Sequence, residues 1–120
     1  MENLVFGDLT IEARESPGTL ELVWTGKSND RTPGRVLDPW LTGVIGSAAE
    51  RKLAVAMHFE RLEHYNSATI TSLIRVIQLG CNKGVRIAII YDKALKWQKL
   101  SFEALRVLGK NDGLLEIRSI

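Results

Sequence analysis

Residues 63–72 bring together side chains able to carry or receive a charged group, Glu63, His64, Tyr65, Asn66, Ser67, Thr69, Thr71 and Ser72, around the apolar Ala68 and Ile70. Asn66 is a good helix N-cap, which places Ser67 in the first helical turn. Unpaired amides and the helix dipole favour negative charge there, such as a phosphate on a serine. The chemistry this points to is a binding switch centred on Ser67. Thr69 is a second hydroxyl in the same turn, and Thr71 and Ser72 are weaker acceptors. His64 and Tyr65 precede the cap and suit the aromatic edge of a partner surface, since tyrosine is favoured in interface anchors. Plain capping is the other reading of Asn66-Ser67, and packing at a loop is the other reading of His64 and Tyr65.

Elsewhere the sequence offers little for catalysis. No Ser-His-Asp or Cys-His ordering with familiar local context occurs, and no Gly-x-x-x-x-Gly-Lys phosphate loop, so the chain is read as non-enzymatic. His58 and His64 lack a nearby cysteine or a second histidine at helical spacing, so no metal site and no cofactor is expected. The single Cys81 excludes an internal disulfide and fits a reducing compartment. Asp92 ends an apolar run at what would be the carboxyl edge of a strand, a common ligand position in α/β folds.

The 120 residues suffice for one domain with a core. Hydrophobic content of 45% against 25% charged residues is ordinary for a folded soluble protein, and a net charge of +2 implies neither nucleic-acid nor membrane binding. Residues 1–30 carry six acidic groups against Arg14 and Lys27, while residues 81–110 carry seven basic groups against Asp92 and Glu103. Such an asymmetry steers a partner or simply marks two solvated faces. Lys93, Lys96 and Lys99 belong to the basic stretch. No charged-then-apolar leader or long apolar run is seen, and cytoplasm is the expected compartment.

The elements that position these residues follow from periodicity. Residues 9–13 alternate as a half-buried strand, Glu-Ser-Pro-Gly at 15–18 turns the chain, and Thr19 to Thr25 forms the second arm of a hairpin. Gly26 to Gly34 reads as a polar loop. A helix is predicted from Pro39 to Arg51, capped by Asp38 with Pro39 at its first position, and with Trp40, Leu41, Val44, Ile45 and Ala48 on one face. Leu53 to Phe59 is a strand running into a short polar turn, and Ser67 to Leu79 a helix ended by Gly80, Asn82 and Gly84. Val85 to Tyr91 reads as a central strand. Trp97 to Leu108 is a third helix with Leu100, Ala104, Leu105 and Leu108 inward. Asn111-Asp112-Gly113 turns into a last strand, Leu114 to Ile117. The three later strands are expected to be parallel, joined by right-handed crossovers.

This order, and the strand-turn-helix from Phe59 to Ile74 above all, resembles the STAS domain of bacterial anti-sigma factor antagonists. In that family the turn reads Asp-Ser-Ser/Thr-Gly and its first serine is phosphorylated. Here it reads Asn66-Ser67-Ala68-Thr69, which sets Ser67 on the phosphoacceptor position and replaces the acid, the second hydroxyl and the glycine. Gly26 to Asn29 also looks like the family's glycine-containing turn after the second strand. The chain further resembles a STAS-like branch of biofilm-regulating phosphoproteins that bind a diguanylate cyclase. The matching residues are Tyr65-Asn66-Ser67, Gly26-Lys27-Ser28, Pro33 and Trp40-Leu41. The resemblance implies a single STAS-like α/β domain over residues 1–120. Its mixed sheet would be an N-terminal hairpin followed by parallel βα units, with helices mainly on one face. It implies a regulatory module that meets a protein partner through His64, Tyr65, Asn66, Ser67, Ala68, Thr69 and Thr71. That partner would be an anti-sigma-type Ser/Thr kinase, a phosphatase or a diguanylate cyclase, and the module a monomer or weak dimer. A constitutive scaffold without a working switch, and a small-ligand domain using the strand ends near Asp92, stand beside it.

Overall fold

Alternating apolar and polar residues near the N-terminus build an antiparallel meander of β1 (Leu4–Phe6), β2 (Leu9–Ser16) and β3 (Thr19–Ser28). The structure is a computed structural model that describes residues 2–110 and 112–120. After β3 come α1 (Gly34–Arg51), β4 (Ala54–His58), β5 (Leu62–Tyr65), α2 (Ser67–Asn82), β6 (Ile87–Tyr91), α3 (Lys96–Glu103), a 3-10 turn over Ala104–Leu108, and β7 (Leu115–Ser119). The sheet order is β1-β2-β3-β4-β6-β7, and every pairing from β3 to β7 is parallel. The expected mixed sheet, hairpin first and parallel units after, is therefore present.

The core lies on one face of this sheet. Leu20, Leu22 and Trp24 of β3, Val55 and Met57 of β4, and Ile87 and Ile89 of β6 are all buried. They pack with Leu41, Val44 and Ile45 of α1, Leu73 and Ile77 of α2, and Phe102 of α3. Alternate residues put Glu21, His58, Ala88 and Arg118 on the opposite face, where His58 is held between Glu21 (3.0 Å) and Glu60 (3.3 Å). Gly80 explains how closely α2 sits on the sheet: any side chain there would run into Ile87.

β3 is long because two strands share it. Its first half pairs with β4 and its end with β5, with a register shift between Gly26 and Lys27. Gly26 has φ 84°, and a side chain there would strike the Asp8 carbonyl, so only glycine fits this bend. The polar stretch expected after Phe59 is thus a second short strand, and the loop expected at Gly26 to Gly34 begins only after Ser28.

Two helix boundaries also differ from expectation. α1 starts at Gly34 behind Pro33, whose carbonyl accepts from Val36 N and Leu37 N (3.0 and 2.8 Å). Asp38 therefore lies inside the helix, where it binds Arg75 of α2 at 2.6 Å instead of capping. Pro39 sits exposed in the second turn, where it has no amide proton to give to the carbonyl four residues back. In α3 the inward phase runs through Gln98, Phe102 and then Leu105, leaving Leu100 67% exposed and Ala104 exposed as well. α2 extends to Asn82 rather than Leu79, and the last strand runs Leu115–Ser119. Asn111 of the expected turn lies outside the described residues.

Candidate functional site

The parallel register of β5 beside the end of β3 delivers the start of α2 next to the loop that follows Ser28. Asn66 N donates to the Ser28 carbonyl at 3.1 Å, which ends the ladder. Asn66 is extended (φ −96°, ψ 173°) and caps α2 as its sequence predicts, its Oδ1 accepting from Thr69 N at 2.9 Å. The same oxygen accepts from Thr69 Oγ1 at 2.8 Å, while Asn66 Nδ2 donates to the Asp30 carbonyl at 2.7 Å. Thr69 Oγ1 lies 2.7 Å from Ser28 Oγ. Since the single Thr69 hydroxyl proton goes to Asn66, Ser28 is the donor to Thr69. Both hydroxyls are buried, Thr69 completely and Ser28 to 3% exposure.

This knot separates the hydroxyls by availability. Thr69 is locked inside, and Ser72 is buried on the next turn. Ser67 and Thr71 are exposed, and the Thr71 hydroxyl is turned back onto the Ser67 carbonyl at 3.2 Å. Ser67 thus stands exposed at the first position of a 16-residue helix that has no acidic residue in its first turn. A negative charge on its side chain would meet the positive end of the helix uncompensated. Lys27 and His64, cross-strand partners on β3 and β5, are both exposed on the approach to that end. Ala68 is half-buried.

Tyr65 is placed differently from an exposed anchor. It is 6% exposed and packs on Trp97 and Phe102, with ring centroids 5.5 and 5.4 Å apart. Burial pushes its hydroxyl pKa upward. The residue belongs to the aromatic cluster under the turn and supports the site from below; His64 is the member of the pair that faces solvent.

Gln98 is a positioning residue that the sequence did not flag. Fully buried, it donates from Nε2 to the carbonyls of Phe59 (2.6 Å) and Leu62 (3.0 Å) and accepts from Asp92 N at Oε1 (2.8 Å). These bonds satisfy the backbone exposed where the chain breaks from β4 to β5, and so fix where β5 and the start of α2 lie. Its signal was its spacing of four from Phe102. Asp92 itself accepts from Ala94 N at 2.9 Å and shapes the entry to α3. Beyond it, Glu103 accepts from Arg106 Nε (2.6 Å) and from the Tyr91 hydroxyl, while Arg106 also reaches the Ile117 carbonyl (2.7 Å). Those bonds, Arg106 first and Tyr91 second, hold the Glu103 carboxyl at about 2 against an ordinary 4.5. Among the described residues no cluster of three His, Cys, Asp or Glu is arranged to hold a metal ion. No described helix is long and apolar enough to cross a membrane.

The sheet order, the one-sided helices and the capped turn after β5 define a STAS-like α/β fold. Among solved structures, the chain is similar to a chain in the crystal structure of the diguanylate cyclase SiaD in complex with its activator SiaC from Pseudomonas aeruginosa. The TM-score is 0.62 at 16% sequence identity, with 100% of each chain covered. No protein-family model and no curated protein sequence matches the chain. At this identity the likeness bears on the fold alone.

Proposed function

We propose that the chain acts as one non-enzymatic regulatory domain that binds a protein partner through the α2 start, with phosphorylation of Ser67 controlling that contact. The observation that carries this reading is the exposure of Ser67 at an acid-free helix N-terminus whose other hydroxyl, Thr69, is buried and bonded. A phosphoserine brings roughly −1.5 to −2 charges and three acceptor oxygens. The helix end tolerates those charges, so the fold stays unchanged while an incoming partner meets bulk and charge it must desolvate. The surface involved is His64, Ser67, Ala68 and Thr71, with Asn66, Tyr65 and Thr69 holding it in shape.

The partner class we favour is a diguanylate cyclase, on the strength of a structural neighbour described as a cyclase in complex with its activator. A kinase and a phosphatase would then act on Ser67 as writer and eraser. Phosphosite mapping by mass spectrometry, on the protein isolated from its own cells, tests the modification. Phosphate is expected on Ser67; phosphate confined to other residues, or none under any growth condition, would leave the scaffold reading in place.

A further inference from the structure

At the edge of the sheet opposite the Ser67 turn, the ends of α1 and α2 and the entry to β6 surround a cleft of about 350 Å³. Three cations border it: Lys52 just after α1, Lys83 just after α2 and Arg86 just before β6. Among the described residues no acidic side chain borders it. Arg14, Arg51, Arg75, Arg106 and Arg118 each hold a carboxylate. Lys52, Lys83 and Arg86 hold none among the described residues, and all three are exposed. We propose that this cleft binds a small molecule carrying at least two phosphate groups.

The backbone at the two helix ends points the same way. The chain leaves α2 through Gly84 in the left-handed region (φ 71°), where glycine is favoured. It leaves α1 through Lys52 at φ 56°, and no other described residue except glycine has a positive φ. A strained position is thus held by a lysine whose side chain borders the cleft, where glycine would fit without strain. The helix-end carbonyls, which would repel an anion, are occupied. Ala48 O accepts from Leu53 N (2.9 Å), Gly80 O from Val85 N (2.8 Å) and Cys81 O from Gly84 N (3.2 Å).

The charges select the occupant. A terminal phosphate brings roughly −1.5 to −2 charges, and a second phosphate brings the total to the scale of three cations. Arg86 offers a planar fork that matches phosphate oxygens, and the two lysines act as point charges. A carboxylate brings a single charge, so an acidic peptide would have to seat three side chains in the same space. The volume falls within the roughly 300–1,000 Å³ common for small-molecule sites. The 16 residues of α2, about 24 Å of helix, separate this cleft from Ser67, so the proposal does not rest on the switch.

In an NMR titration of the full chain, inorganic diphosphate should shift the amides of Lys52, Gly84 and Arg86. It should bind about tenfold more tightly than succinate. Lys52→Gly gives the left-handed position the residue it favours and should unfold no earlier than the parent. It should nevertheless weaken diphosphate about tenfold, the loss of one charge-assisted bond, and Lys83→Gln should do the same. Lys96→Gln, on α3 and outside the cleft, should bind as the parent does. Succinate or a tetraglutamate peptide binding as tightly as diphosphate overturns the proposal. So does undiminished affinity in Lys52→Gly and Lys83→Gln, an equal loss in Lys96→Gln, or the absence of shifts around the cleft.

Discussion

The Ser28 and Thr69 hydroxyls lie 2.7 Å apart, buried, and join the end of β3 to the first turn of α2 across 41 residues of sequence. This bond ties the turn that carries Ser67 to the end of the sheet. Removing one partner strands the other. Thr69→Val, which leaves the Ser28 hydroxyl unpaired, should cost about 2 kcal/mol, and Ser28→Ala about 1 kcal/mol. The double variant should cost less than the sum, by about 1 kcal/mol, because the penalty of the stranded group disappears. Urea unfolding of the three proteins measures this.

Gln98 should matter more than its position on a short helix suggests. Gln98→Leu leaves the Leu62 carbonyl and the Asp92 amide without its bonds and the Phe59 carbonyl with the Leu62 amide alone, and should destabilise by about 3 kcal/mol or more. Leu100→Ala, on the exposed side of the same helix, should stay within about 0.5 kcal/mol. Equal effects would mean that the helix is rotated from the phase described.

Glu103 should leave a signature in acid. Its carboxyl sits at about 2 instead of 4.5, so the folded state holds the charged form more firmly than the unfolded chain does. The stability this contributes is fully present above the ordinary value and is lost as pH falls from there through the folded value. The difference in Tm between the parent and Glu103→Gln should be constant from neutral pH to about pH 5 and then narrow toward pH 2. A gap that widens with acid would contradict the Arg106 and Tyr91 bonding.

Gly80→Ala should destabilise by about 1–3 kcal/mol, since the added methyl must push Ile87 aside. Unchanged thermal unfolding would show that α2 rides higher on the sheet than described.

The cap was readable because Asn66-Ser67 is a local signal, and the parallel strands because Leu53–Phe59 and Val85–Tyr91 are apolar runs bounded by turn residues. The bond from Ser28 to Thr69 was not readable, although Gly26-Lys27-Ser28 stood out as a motif. The partner of Ser28 is 41 positions away, and a serine among Gly26, Asn29 and Asp30 looks like any loop residue. The same distance hid Gln98, which acts on carbonyls of another element. Pro39 misplaced the start of α1, because proline favours a helix's first position, and here it stands one turn further in with no local signal to say so. Leu100 misled the phase of α3 since the position that faces inward is held by a glutamine, whose three bonds outweigh the pull of a leucine side chain. Tyr65 reads either as the edge of a partner surface or as a residue packed at the loop, and the fold, with Trp97 and Phe102 against it, selects packing.

The central claim, a switch at Ser67, is tested most directly by calorimetric affinities of the parent, Ser67→Ala and Ser67→Asp for the cyclase partner. Ser67→Ala should bind within about twofold of the parent, and Ser67→Asp about tenfold or more weakly, a loss of about 1.4 kcal/mol. Indistinguishable affinities for the two variants, with both folded, would contradict the account.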